Sequence, residues 1–229
     1  MKIGFFGFDL PEGKVKYNDA LVEALTEKFQ PKKVSPYFAE FLREEYVQVD
    51  GIFGARANAL DVLILDMERI EGRLERVSDE AEKELLRRCQ AHLEEEAPLC
   101  DLALSEPEQE MVREAGPITL QPTVFANEAD DLDAVIATML ERAGLLFFYT
   151  GGKKEVHAWL VRQGSDIVTC AGKIHSDLAR GFIRAEVVSV PEFLGVHNMH
   201  EAKEKGLVRI VERDYVIREG DMIDVRFSV

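Results

Sequence analysis

Residues 7–15 read GFDLPEGKV and overlap the end of an apolar run, KIGFFGF at 2–8, that has the composition of a buried strand. The stretch departs at two places from a phosphate-binding loop, G-x-x-x-x-G-K-[ST] between a strand and a helix. Gly7 and Gly13 enclose five residues in place of four, Lys14 is present, and Val15 occupies the Ser/Thr position. In such a loop the backbone N–H groups point at the phosphates, the lysine reaches the outer ones, and the hydroxyl ligates Mg²⁺. One extra residue changes which N–H groups converge, and valine has no hydroxyl to offer. Three readings stand open on spacing alone: an unusually spelled nucleotide site using Gly13 and Lys14, a lost site, or chance.

Composition narrows the field. At 229 residues the chain has room for two modest domains or one large one. Its apolar fraction of 46% suits a globular protein, and no run approaches the roughly 18 apolar residues of a membrane span. No secretory pattern opens the sequence, and Cys89, Cys100 and Cys170 form no C-x-x-C pair, so a reducing cytoplasm is expected, without disulfide framework or metal site. The net charge of -15 is unevenly placed: the tail from Leu145 holds 12 basic and 12 acidic residues, so all of the excess lies in the first 144. Four of the five histidines (His157, His175, His197, His200) fall in the neutral tail. The acidic half is the wrong surface for nucleic acid, and neither DNA nor a membrane is expected as a partner.

Along the chain, Tyr17–Phe29 reads as an amphipathic helix with Leu21, Val22, Leu25 and Phe29 on one face, and Tyr46–Val49 as a strand closed by Asp50-Gly51. The strongest periodicity comes next. Leu60, Leu63, Met67, Ile70, Leu74, Val77 and Ala81 alternate three and four apart as a coiled-coil seam. Ser78-Asp79 then caps a returning helix with Leu85, Leu86, Cys89 and Leu93 inward, stopped by Pro98. An antiparallel hairpin over about 60–97 is predicted, projecting from an α/β part. A short helix over Ser105–Glu114, a strand at Gln121–Ala126 and a helix from Asp131 to Arg142 come after it. After Gly144 the text turns β-rich, with Gly151-Gly152 as a hairpin turn.

The tail phrases FFYTGGKKEVHAW, AGKIHSDLARGFIRAEVVS, AKEKG and DYVIREGDMIDVRFSV resemble, in order, the C-terminal TGS domain of the YchF group of Obg-like P-loop ATPases. Val211-Glu212-Arg213 departs from that group's E-G-K run. Upstream, ANALDVLILDMERIEGRLERV and LLRRCQAHLEEEAPL are similar to the arms of the family's helical hairpin. LSEPEQEMVREAGPITLQPTVFANEADD resembles the segment after it, and ALVEALTEKFQPKK a helix between the switch regions of its G domain. The resemblance implies an α/β fold: a truncated P-loop-like G domain at 1–144 with the inserted hairpin, then an α+β, ubiquitin-like β-grasp TGS domain at 145–229.

A nucleotide domain of this family carries a phosphate loop, a switch segment, a D-x-x-G motif and a base-reading N-x-x-E/D loop. This chain has no D-x-x-G at any position, and the stretch from Lys33 to Val49 is too short for the usual switch region. The opening question is therefore answered as a lost site. Asn127 and Asp130 are the remaining trace of base recognition, with a plain strand-to-helix turn capped by Asn and Asp as the competing account. In the tail, His175, Asp177, Arg180 and Arg184 recur in the family's phrase. They read either as a recognition edge for RNA, ribosomal protein or a nucleotide alarmone, or as residues that build the fold.

These expectations combine into a binding or regulatory protein without catalytic residues, metal or cofactor, linked to translation. RNA or ribosome contact falls to the tail, where Lys153, Lys154, Arg180 and Arg184 would share one edge, and protein contact to the hairpin. The alternatives are an ATP- or GTP-binding P-loop NTPase of the same family using Mg²⁺, and an acidic adaptor.

Overall fold

The structure, a computed structural model, describes residues 1–228. In chain order it runs β1 (Lys2–Phe6), β2 (Gly13–Lys16), α1 (Ala20–Phe29), β3 (Lys33–Ser35), β4 (Phe38–Arg43), β5 (Gly51–Ala55), α2 (Ala59–Leu74), α3 (Glu80–Glu94), α4 (Glu106–Arg113), β6 (Thr123–Ala126) and α5 (Leu132–Arg142). The tail adds β7 (Leu145–Gly151), β8 (Glu155–Arg162), α6 (Ile167–Ile174), α7 (Ser176–Arg180), β9 (Phe182–Ser189), α8 (Val190–Leu194), α9 (Met199–Glu204), β10 (Arg209–Val211) and β11 (Asp221–Phe227). Two compact units result. One joins Met1–Val15 to Ala39–Ala143, and the other joins Lys16–Phe38 to the chain from Gly144 onward. The chain passes between the units after Val15, Phe38 and Ala143, so residues 16–38 cluster with the tail.

In the first unit the sheet order is β2-β4-β1-β5-β6, with β1 parallel to β4 and β5, and β5 parallel to β6. Side chains alternate along each strand. Phe6, Ile52 and Phe125 enter one core with α2 and α3, while Gly51 on the other face lies against Met139 of α5. Both faces of this mostly parallel sheet are thus covered. β5 is buried throughout, and the sequence places a strand at Tyr46–Val49 instead. Its glycines explain the miss: a Cβ at Gly54 would come within 2.2 Å of the Phe6 ring, so glycine here permits close packing and does not end a strand.

The helix pair forms with Asp79 capping α3 through a 2.9 Å bond from the Glu82 N–H. Leu63, Ile70, Leu85, Leu86, Cys89 and Leu93 are buried as the periodicity requires. Leu60, expected in the seam, is 47% exposed, whereas Val62 and Asp66 turn inward. The cause is the partner surface. The two helices share one core with the sheet, so α2 buries a face wider than a two-helix seam.

In the second unit the order is β10-β9-β11-β7-β8-β3. β7 and β8 form the expected hairpin, closed by Gly152 N–H donating to the Glu155 carbonyl at 3.1 Å. β11 lies parallel to β7 at Met222 and antiparallel to β9, which also pairs with β10. α6 and α7 cover one face over Leu146, Phe148, Val187 and Ile223. The opposite face is covered by α1. Tyr149 Oη donates to buried Asp19 at 2.6 Å, Tyr17 stacks on Phe147 at 5.8 Å, and Phe29 stacks on Phe193 at 5.3 Å. β3 adds a parallel edge to β8. An amphipathic pattern shows that α1 has an apolar face but not which sheet receives it.

Candidate functional site

In open α/β sheets ligands bind beyond the carboxyl ends of the strands, where the loops after successive strands meet. In the first unit that edge is formed by residues 7–12 after β1, 56–58 after β5 and 127–131 after β6. Strand register brings Phe6 beside Gly54 and Ala55 beside Ala126. Gly7 has φ +73°, and a Cβ there would lie 2.5 Å from that of Ala55 and 2.8 Å from Asn58 Oδ1. Asn58 is therefore packed against the turn that starts the loop.

The decisive departure comes after that turn. A phosphate loop opens a helix, whose aligned N–H groups and dipole hold the anion. Here Gly13 and Lys14 begin β2, an edge strand, and Lys14 is exposed. The loop is clamped by Arg43 of β4. Its Nε donates to Glu12 at 3.0 Å, and its Nη atoms reach the carbonyls of Phe8 at 3.4 Å and Leu10 at 3.2 Å and the carboxylate of Asp9 at 3.4 Å. The guanidinium also lies 5.0 Å from the Phe5 ring centroid. Carbonyl and carboxylate oxygens of the loop thus face a cation that the chain itself supplies. A polyphosphate approaching from solvent would meet Asp9 and Glu12. Arg43 is a residue that motif reasoning missed; only its cationic character near the end of β4 marked it.

Asn127, Glu128 and Asp130 lie in the loop after β6, with Glu128 exposed. The cap of α5 is Asp131, which accepts from Asp133 N–H at 2.9 Å and Ala134 N–H at 3.3 Å. The turn account was right in kind but named the wrong residue.

In the tail, Lys153 and Lys154 are exposed on the β7–β8 turn and line a groove of about 520 Å³ with Ile174, Leu178, Ile223 and Val225. His175 joins α6 to α7, its Nδ1 accepting the Asp177 N–H at 3.2 Å. Asp177 in turn pairs with Arg180 at 2.9 Å. Arg184 stands on β9 opposite Arg226 of β11, next to inward-facing Ala185, so it points away from the face covered by α6 and α7. The four cations expected on one edge do not share one: the lysines line the groove beside α7, and Arg184 lies on the far side of the sheet.

Besides Asp19, two buried carboxylates escaped the sequence reading. Asp66 on α2 accepts from the backbone N–H of Ile118 and from Thr119 through both its N–H at 2.7 Å and its hydroxyl at 2.6 Å. Burial pushes its pKa up, against those three bonds, which pull it down. Asp221 accepts from Arg209 at 3.1 Å, the Tyr215 hydroxyl at 2.8 Å and Arg218 N–H at 2.9 Å. Both pin segments of their own unit, and neither lies at the carboxyl edge.

Comparison with known proteins agrees with this architecture. The family model described as YchF-GTPase_C, protein of unknown function (DUF933), matches residues 145–228. The ribosome-binding ATPase YchF of Bacillus subtilis is 28% identical over 249 residues, covering 80% of this chain and 68% of that protein. Proteins of the same name from Mycoplasma genitalium and Escherichia coli O157:H7 are 40% and 36% identical over 98 and 102 residues, 43% and 44% of this chain. There the match spans only 27% and 28% of their lengths. The solved structure of the Schizosaccharomyces pombe YchF GTPase shares the fold, with a TM-score of 0.78 at 16% identity over 99% of this chain and 97% of that one. The tail thus matches the C-terminal family of YchF proteins, and over most of its length the chain is similar in sequence and fold to YchF proteins.

Proposed function

We propose that this chain is a non-hydrolytic binding protein of the YchF family, cytoplasmic and translation-linked, that contacts the ribosome through its tail. In this reading the tail sheet with α6 is the TGS β-grasp module, α2 and α3 are the family's inserted hairpin, and the first unit is a G domain whose nucleotide site has been lost. One observation carries it. The segment after β1 leads through an Arg43-clamped acidic loop into a strand, where phosphate binding requires a helix N-terminus. The absence of any D-x-x-G from the sequence agrees, because phosphoryl transfer rests on positioning and on charge stabilisation by metal and cradling groups. The ribosome link rests on the names of the relatives and on the tail's freedom from the acidic excess. Lys153 and Lys154 carry the cationic contact, while Arg180 is held by Asp177.

The test is titration calorimetry of the full chain with ATP and GTP, with and without Mg²⁺, beside co-sedimentation with ribosomes over a salt series. No Mg²⁺-dependent nucleotide binding is expected, and Lys153→Glu with Lys154→Glu should release the chain from ribosomes and flatten the salt dependence. Turnover of either nucleotide that vanishes in Lys14→Ala would overturn the non-hydrolytic reading. Ribosome binding unchanged by the double lysine variant would overturn the tail assignment.

A further inference from the structure

α2 leaves one face uncovered. Leu60, Ile64 and Leu65 are 47%, 48% and 38% exposed within two turns of one helix, although their neighbours Val62, Leu63 and Asp66 are buried. Single exposed apolar side chains are ordinary, but three adjoining on one helical face form a patch. On the same side, Asp61, Glu68, Glu71 and Glu75 are exposed, and among the described residues only the Asp61 carboxylate has a side-chain partner, Asn58 at 3.4 Å. Elsewhere on α3 and α4 the carboxylates are in part ion-paired, with exposed Glu94, Glu106 and Glu110 the exceptions among the described residues. Glu80, Glu82, Glu84, Glu108 and Glu114 are each matched by Lys83, Arg73, Arg87 or Arg88 at 2.7–3.5 Å. Among the described residues no ion pair reaches Glu68, Glu71 or Glu75. The nearby cations are engaged elsewhere: Arg56 donates to the Phe125 carbonyl, Arg69 to the Gly116 carbonyl and Arg76 to the Gly72 carbonyl. The strand register that sets Ala55 beside Ala126 also places the loop of Glu128 and Asp130 next to the start of α2, extending the acidic border.

We propose that this face of α2 docks a basic amphipathic helix of another protein, with apolar residues at i, i+3, i+4 and i+7 against Leu60, Ile64 and Leu65, and lysines or arginines against Asp61, Glu68 and Glu71. Charge complementarity selects this occupant. A nucleic acid is repelled by the unpaired carboxylates, and a second copy of α2 would set like charges against each other. At 16 residues the helix is about 24 Å long, enough for a partner of four turns. The inference is independent of nucleotide and ribosome binding.

The test uses the full chain and a labelled 16-residue Leu/Lys amphipathic peptide, read by fluorescence anisotropy. Two controls accompany it: the same peptide with leucines replaced by serine, and one with lysines replaced by glutamate. The Leu/Lys peptide should bind at least about tenfold more tightly than either control. Ile64→Asp, and separately Glu68→Lys with Glu71→Lys, should each weaken it by a similar factor while circular dichroism stays unchanged. Equal binding of the serine control would reduce the face to a charged surface and overturn the proposal. So would binding that survives Ile64→Asp, no binding of the Leu/Lys peptide, or sedimentation showing that the chain alone dimerises through Ile64.

Discussion

Replacing Asp66 by alanine removes the acceptor for three buried donors at once: the Ile118 and Thr119 amides and the Thr119 hydroxyl. That hydroxyl also accepts from the Leu99 amide at 3.0 Å, so the loss spreads to a fourth group. An unsatisfied buried donor costs about 1–3 kcal/mol. Against this stands relief of the burial penalty of the carboxylate itself, which is already visible as its raised pKa. With water entering the vacated space, the net loss should be about 3 kcal/mol, or roughly 6–12 °C in midpoint for a chain of this size. The sign of its pH dependence comes from the same group. Its native pKa lies above the ordinary value of 3.8, so the native state holds the proton longer than the unfolded chain does. The stabilisation by Asp66 is then full below the unfolded pKa and declines as pH rises through the native one. Urea denaturation of parent and Asp66→Ala across acid to neutral pH should give a difference that shrinks as pH rises. A loss under about 1 kcal/mol at every pH, or a difference that grows with pH, would refute the account of Asp66 as the pin between α2 and the 118–119 segment.

Ile70 is fully buried between α2 and its neighbours, so Ile70→Asp should cost several kcal/mol, about 4, in urea denaturation; a parent-like transition would show the seam misplaced. Arg43→Ala removes exposed ion pairs together with the bonds to the Phe8 and Leu10 carbonyls and the contact on the Phe5 ring, so the urea midpoint should fall only slightly while amides of residues 8–12 exchange faster. That variant should gain no Mg²⁺-dependent nucleotide binding; tight ATP binding would show that the guanidinium, and not the path of the chain, keeps phosphates out. His157 stacks on Trp159 at 3.7 Å and burial lowers its pKa, so its neutral form is favoured in the folded state. The stabilisation should be present above pH 6.5 and be lost as pH falls through the native value, and His157→Gln should flatten the midpoint-against-pH curve over that range.

Much of this fold was legible wherever a pattern is local. The returning helix α3, the Asp79 cap and the glycine hairpin come from spacing and turn chemistry that a few neighbouring residues determine. β5 was not legible, because Gly51 and Gly54 look like breakers until Met139 and the Phe6 ring are placed against them. The faces of α2 were read one residue wide of the truth, since a heptad seam cannot report that a sheet lies beneath two helices. The candidate site divided in the same way. The departure from the phosphate-loop motif was visible in the sequence, whereas Arg43, far along the sequence from Gly13, enters only through strand pairing. Whether Lys153 and Arg184 face one partner depends on the parity of β9 against its bulge beside Arg226, which no motif records.

The two departures in GFDLPEGKV act together with the strand and helix that come after them. Lys14 and Lys16 are exposed and Val15 is half-buried, a period of two that suits an edge strand and cannot start a helix. The next helix in sequence, α1, begins after that strand, and its N-terminus is already held by an anion of the chain. Asp19 is buried, accepts the Leu21 N–H at 2.8 Å with one oxygen and binds the Tyr149 hydroxyl at 2.6 Å with the other. A phosphate brought to that end would meet a carboxylate where it needs free N–H donors, and displacing Asp19 would strip Tyr149 of its buried partner. Restoring the motif letter by letter, with one residue deleted before Gly13 and Val15→Ser, therefore leaves the phosphate without a helix end to bind. The course of the chain from β1 into β2, and not the spelling of the loop alone, separates this segment from a phosphate loop.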